Sequence, residues 1–392
     1  MIKADRRALG ERFVKILCAV LALALLYRWQ RNFYVACAGD ILSDVPLHIK
    51  MALDHDDYGL SSYIIRALYA LFEPHRAQTC LSILLAFNNL LCVFALWAML
   101  RFLLPELNGT FAFLASELAL VCGPWLIPGI QTGIYIGAHN GNLYHNMTVL
   151  FSRTLIPLCF VFFFRCWDRR HDTISFRDWL ALTVSLLIIT LFKPNFAFAF
   201  IPLMAGLLIY ELVKHKGAYF KNLVILGCSV LPAGLTCIWQ YLVLYDPEFA
   251  GNSSGMALQT YTLASFAAML LIYVRSLLLP LFTVPAQGRK EEHRGHISLL
   301  VLTELIALLE ASVLTETGYR ANHGNFEWGG LAIYPSLFAL SIGLLFRMIK
   351  TADLKKKGDI VKCAAGAVIL LGHLAVGIYF LHIAGTPVSY QI

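Results

Sequence analysis

Long apolar runs alternate with short polar breaks along the whole chain. A helix needs about 20 apolar residues to cross a hydrocarbon core. Runs of this kind fall at 13–29, 79–100, 110–127, 147–166, 178–192, 195–213, 222–244, 259–283, 298–315, 329–348 and 361–384. They predict an all-α polytopic membrane protein with about eleven transmembrane helices. The runs 178–192 and 195–213 are short, and only Lys193-Pro194-Asn195 separates them. Proline lacks the N–H and restricts the residue before it, so a break there has a physical cause. Two spans or one broken element both fit the pattern. The first run is not a cleavable leader, because Arg28-Trp29-Gln30-Arg31 follows it instead of a small-residue cleavage pattern.

Composition agrees with the pattern. The 392 residues are 59% hydrophobic and 14% charged, against about 45–50% and about 25% in soluble domains. That excludes a soluble enzyme, a disordered chain and a nucleic-acid binder. None of the ten cysteines shows zinc-type spacing, and most lie in apolar runs as small buried hydrophobes. Basic residues set the orientation. With the N-terminus in the cytoplasm, every predicted inner segment carries at least one, from Lys3, Arg6 and Arg7 through Arg101, Arg165–Arg177, Lys214–Lys221 and Arg289–Arg294 to Arg347–Lys362, and together these are most of the 31 Lys and Arg. A miscounted span would break that regularity. The net charge of +7 is thus an orientation signal. The chain reads as one integral-membrane domain, 1–392, with outer loops at 30–78, 128–146, 245–258 and 316–328.

Those outer loops hold the unusual residues. In the first, Ser43 is suited to cap a helix, with Asp44 and Pro46 in its first turn. Val45, Ile49, Ala52 and Leu53 then recur at helical spacing, which predicts an amphipathic helix along the membrane surface. Asp44 and His48 are four apart and share its other face. Asp44 either serves the helix dipole or carries chemistry, and Asp40 lies one turn earlier. The cluster Asp54-His55-Asp56-Asp57 is of a type that binds divalent cations or ends a surface helix in solvent. The second loop places His145 and Asn146 at the mouth of a span, with Arg153 about two turns inside, where arginine faces protein or a wet cavity. Lys193 is a cation held at a rigid break. The last loop combines Glu316, Arg320, His323 and Glu327, with Glu310 a turn and a half below Glu316 on the same span. Glu117 and Glu304 are further intramembrane acids, either functional or paired between helices. The inner loops are basic and lack such clusters. Carboxylate, His, Lys and Arg gathered on the outer side suit a phosphate-bearing lipid, because Arg, Lys and His donate to phosphate oxygens.

The pattern resembles the GT-C-type, polyprenyl-phosphate-sugar-dependent glycosyltransferases of bacterial envelopes. The resemblance is carried by an N-in multi-span architecture with a long first outer loop, Asp44 with His48 beside a juxtamembrane helix, Tyr144-His145-Asn146-Met147-Thr148 opening a span, Lys193-Pro194-Asn195, and Arg320 through Gly329. Many relatives carry His-Asn-Pro-Thr where this chain has His145-Asn146-Met147-Thr148, so Met147 takes the Pro position here. The resemblance implies an inverting hexosyl- or pentosyltransferase in the bacterial cytoplasmic membrane, with its active site on the outer face. A polyprenyl-phosphate-linked sugar would be the donor, and an envelope glycan, lipid or protein the acceptor. Asp44 would be the general base, with Asp40 in reserve; burial against the acceptor raises a carboxylate's basicity. Lys193, Arg320 and His323 would hold the departing phosphate. His48, His145, Asn146, Arg153, Glu310, Glu316 and Glu327 would line the substrate pocket. The resemblance fixes no cofactor: some members of the class use a divalent metal and others do not, and a metal is not favoured here.

Other functions leave different marks. A lipid or sugar transporter places its site near the midplane on broken helices within repeated halves; here most polar residues lie at the outer boundary, and no repeat stands out. An envelope polysaccharide polymerase or ligase would use the same outer cations on a diphosphate-linked donor. A membrane acyltransferase wants a His deep in a span, a place that only His373 occupies.

Overall fold

The computed structural model describes residues 2–40, 43–55, 59–125, 146–244, 255–318 and 325–383. Helix α1 (Ile2–Ala38) ends at Gly39, whose φ of +80° admits the left-handed stop. Gly39 N donates to Ala36 O and Asp40 N to Val35 O, each at 3.2 Å, satisfying carbonyls the helix end would orphan. Two short helices follow, α2 (Val45–Leu53) and α3 (Leu60–Leu71). Then come α4 (Pro74–Leu103), α5 (Gly109–Ala119), α6 (Met147–Asp168), α7 (Phe176–Phe192), α8 (Asn195–Lys214), α9 (Phe220–Cys228) and α10 (Leu231–Leu244). A strand β1 (Met256–Leu258) precedes α11 (Leu263–Ser276), α12 (Leu278–Gln287) and α13 (Arg294–Val313). Strand β2 (Leu314–Glu316), α14 (Trp328–Thr351) and α15 (Lys357–Ile383) complete the order.

The fold is helical and membrane-spanning, as predicted. Each of the eleven apolar runs holds a helix or a bent helix pair, although α5 covers only the first part of 110–127. Seven described helices are long and apolar enough to cross a membrane, or nine if the pairs α9/α10, bent by 41°, and α11/α12, bent by 60°, each count as one span. The other two, α5 with 11 residues and α7 with 17, fall short of the roughly 20 a full crossing needs. The first outer segment differs from expectation: α1 runs on to Ala38, and α3 follows α2.

Lys193-Pro194 separates two passes. Arg170 and His171, just before α7, bond Glu211 near the end of α8. At the other extreme, Phe192 stacks on Phe151 in the second turn of α6, ring centroids 5.0 Å apart. The chain therefore reverses direction at Lys193-Pro194, with α7 and α8 antiparallel.

Helix α14 is the central element, packed against α4, α5, α6, α8, α12, α13 and α15. It is apolar on every side and almost wholly buried, whereas α1 and α15 keep broad exposed apolar faces. Lipid tails are as apolar as leucine, so close packing and polar bolts, not hydrophobicity, decide which helix sits inside. One bolt joins α4 to α6: Asn88 Nδ2 donates to Leu150 O at 2.8 Å, and Arg153 Nη2 to Asn89 Oδ1 at 2.7 Å. Another docks the segment after α5 onto α15. His373 Nδ1 donates to Gly123 O at 2.6 Å, Gly123 N to His373 O at 3.0 Å, and Trp125 Nε1 to Ile369 O at 2.9 Å. This gives the buried His373 a packing role.

Glycine permits that approach. A Cβ on Gly377 would lie 1.6 Å from Val121 O, and one on Gly372 2.3 Å from the Trp125 ring. Backbone cannot yield as a flexible side chain does, so Gly377→Ala is expected to destabilise the fold by about 1–3 kcal/mol, read as a lowered melting temperature in detergent. An unchanged melting curve would contradict this packing.

Candidate functional site at one end of the helices

Helix α2 forms where its spacing predicted, burying Val45, Ile49 and Ala52. Leu53 does not join that face and is exposed. The capping differs too. Asp44, not Ser43, occupies the N-cap position, and its carboxylate makes no capping hydrogen bond. The Ser43 hydroxyl accepts from Val45 N at 3.2 Å instead, and Pro46 sits in the first turn, where its missing N–H costs nothing. His48 N donates to Asp44 O at 2.8 Å, which sets the two residues one turn apart. Both are half-buried, while Asp40, beyond the Gly39 turn, is exposed. Of the two acids, Asp44 is the one that α2 packing fixes in place. Arg66 Nε on α3 donates to Ala52 O at 2.7 Å, tying α3 to the end of α2. Asp54 is exposed at the C-cap; Asp56 and Asp57 lie outside the described residues.

Asn146 caps α6. Its Oδ1 accepts from Val149 N at 3.3 Å and from Thr148 Oγ1 at 2.6 Å, so that oxygen, expected to line a substrate pocket, is committed to the helix. Arg153 is 1% exposed and bonded to Asn89. It faces protein, as its depth predicted, and joins two helices. His145 lies outside the described residues.

At the break after α7, Lys193 is extended (φ −159°) and closes the helix through Lys193 N to Ile189 O. Its Nζ sits 5.3 Å from the centroid of the Trp328 ring, a cation–π contact that positions the ammonium. The neighbouring Asn195 donates to Asn325 O at 2.5 Å, and Asn325 Nδ2 donates to the Glu316 carboxylate. Gly329 lets α14 come close here, since a Cβ would lie 3.2 Å from Asn195 O. The Lys193-Pro194-Asn195 break and the last outer loop thus meet directly. Arg320 and His323 of that loop lie outside the described residues.

The segment before this loop corrects one expectation. Helix α13 stops at Val313, and Leu314–Glu316 pairs antiparallel with Met256–Leu258, Glu316 opposite Met256. Glu310 and Glu316 are therefore not on one continuous helix. Glu310 is half-buried, and Glu316 is buried. Glu327 is the N-cap residue of α14. Gln259 N donates to Val313 O at 2.7 Å, which extends the strand pairing toward α11. Asn195, Asn325 and Trp328 lie inside the Lys193-Pro194-Asn195 and Arg320–Gly329 motifs, but the sequence assigned them no role. An amide beside a proline break and a Trp opening a span were the signals available.

The opposite end of the helices is not free of clusters, contrary to expectation. Arg170, His171 and His215 converge on Glu211, and His296 Nε2 lies 2.8 Å from Asp168 Oδ1. A cavity of about 460 Å³ opens there among Glu106, Lys290, Glu291, Glu292, Arg294 and Arg347. Burial pushes the Glu291 carboxyl up, and the bonded Arg347 opposes that shift. Its mixed acids and bases are already paired in part, unlike a pocket shaped for one anion.

No protein-family model matches the sequence, and no curated protein matches it. Solved structures do. ArnT from Cupriavidus metallidurans in the apo state superposes with a TM-score of 0.51 at 13% identity, covering 95% of this chain and 77% of that one. The same protein bound to undecaprenyl phosphate gives 0.48 at 15% identity, covering 94% and 72%. The fold matches the GT-C-type architecture, and at this identity the likeness is one of fold.

Proposed function

We propose that the chain is a membrane glycosyltransferase that moves a sugar from a polyprenyl-phosphate-linked donor to an envelope glycan, lipid or protein. The observation that carries this reading is the fold likeness to ArnT over 95% of the chain. The basic Lys193 beside Trp328 supports a phosphate-bearing donor, and the donor class proposed is that of the ligand named for ArnT, undecaprenyl phosphate. Asp44 is the general base that takes the acceptor hydroxyl proton, with Asp40 in reserve. The acceptor oxygen attacks the anomeric carbon from the side opposite the phosphate, which inverts that centre. Lys193, with Arg320 and His323, stabilises the departing phosphate. A phosphate leaves as an anion, so no second carboxylic acid is needed, and charge stabilisation is the larger contribution. His48, His145, Glu310, Glu316 and Glu327 belong to the surrounding pocket. Asn146 and Arg153 act from behind it, holding α6 and α4. The reaction faces the outer side, in keeping with the basic residues of the opposite end.

Native mass spectrometry of the full chain, offered a panel of polyprenyl-phosphate sugars, tests the donor class. One bound monophosphate-linked sugar per chain is expected. Retention only of diphosphate-linked oligosaccharides would favour a polymerase or ligase and sink this reading.

A further inference from the structure

The end of the helices opposite Asp44 carries a cluster that the glycosyltransferase reading does not use. Glu211 and His215 are four residues apart near the end of α8, so they share a face. His171 arrives from the turn after α6. His171 Nε2 lies 2.7 Å from Glu211 Oε2, and His215 Nε2 lies 3.4 Å from the same oxygen. One ligand atom from each of the three lies within 4.8 Å of the others.

Several features point beyond an ion pair. His215 Nε2 is buried and has no hydrogen-bond partner among the described residues, although it faces the carboxylate. Arg170 already answers the charge of Glu211, with Nη2 3.3 Å from Oε1 and Nε 3.2 Å from Oε2. Two further imidazoles on the same oxygen exceed what one carboxylate needs. The rings are also fixed in orientation. Tyr219 stacks on His171 at 4.3 Å and meets His215 edge-on at 5.3 Å. It folds back over them because Lys216 and Gly217 take left-handed φ of +49° and +82°. Arg170 also stacks on Trp167, 4.4 Å from its ring centroid.

We propose that His171, Glu211 and His215 form a zinc site that staples the α6–α7 turn to the end of α8. Two imidazole nitrogens and one carboxylate suit Zn²⁺, whereas Ca²⁺ and Mg²⁺ prefer oxygen-only shells. Ligand atoms about 2.0–2.1 Å from a tetrahedral ion are roughly 3.3 Å apart. The His215–Glu211 separation already matches that spacing, and the His171 contact has to open by about 0.6 Å. Arg170 then keeps Glu211 Oε1 as an outer-shell partner. The fourth position of the tetrahedron takes a water, as in other zinc sites with three protein ligands. The site is independent of the proposed donor chemistry.

The test titrates ZnCl₂ into the full-length, untagged, chelator-stripped protein by calorimetry. One Zn²⁺ per chain is expected. His171→Ala and His215→Gln should each weaken binding by more than the roughly 10–100-fold that loss of an outer-shell partner costs. Cobalt substitution of the wild-type chain reads the same site without any variant, through intense visible bands of four-coordinate Co²⁺ that Zn²⁺ abolishes. No stoichiometric zinc, wild-type affinity in His215→Gln, or Co²⁺ without such bands would each overturn the proposal and leave an ion-paired knot.

Discussion

Asp44→Asn is expected to lower the rate of sugar transfer by about 10²–10⁴-fold, the usual share of a positioned general base, while leaving fold and donor binding almost intact. The substitution is informative because of where Asp44 sits. It is the N-cap residue of α2, and its carboxylate is not consumed by a capping hydrogen bond. Asn caps helices as well as Asp does. At the helix cap, what Asn gives up is the charge–dipole attraction, about 0.3–1 kcal/mol at a surface helix. Stability and catalysis therefore separate cleanly, through a melting curve beside a single-turnover transfer assay. Asp40→Asn, at an exposed position beyond the Gly39 turn, is the control and should transfer nearly as wild type. Wild-type transfer by Asp44→Asn would remove it from the role of base, and a collapse in Asp40→Asn instead would move the role one turn back.

Lys193→Gln should reduce kcat/KM by about 10²–10³-fold, the loss seen when one donor to a developing oxyanion is removed. Its ammonium is placed by the helix break behind it and by the Trp328 ring in front of it. Lys193→Arg keeps the charge and the ring contact and should recover most of the activity. A stability role alone gives a different pattern: a lower melting temperature, equal kinetics at permissive temperature, and no recovery with arginine.

The parts legible in the sequence were those with local causes. The Val45–Ile49–Ala52 stripe, the proline break at 194 and the helix positions follow from spacing and from missing N–H groups. The burial of α14 relative to α1 was not legible, because an apolar side chain looks the same against lipid as against protein. The pairing of 256–258 with 314–316 was hidden at the junctions between outer loops and spans, since three-residue strands leave no period. Arg153 could be placed against protein by its depth, but not against Asn89, sixty-four residues away. The His171–Glu211–His215 convergence escaped for the same reason: only its i,i+4 half is written in one helix. Within the candidate site, Asp44, His48 and Lys193 were found as chemistry-bearing residues at a boundary. Their supports, Asn195, Asn325 and Trp328, come together only in three dimensions.

The most direct test of the central claim is turnover in sealed right-side-out vesicles bearing the chain, given a polyprenyl-phosphate sugar from outside and an envelope extract as acceptor. Sugar-free polyprenyl phosphate should appear in step with a glycosylated acceptor of inverted anomeric configuration, and no such product should come from Asp44→Asn vesicles. Donor crossing the membrane unconsumed, or turnover that needs the donor inside, would contradict that claim.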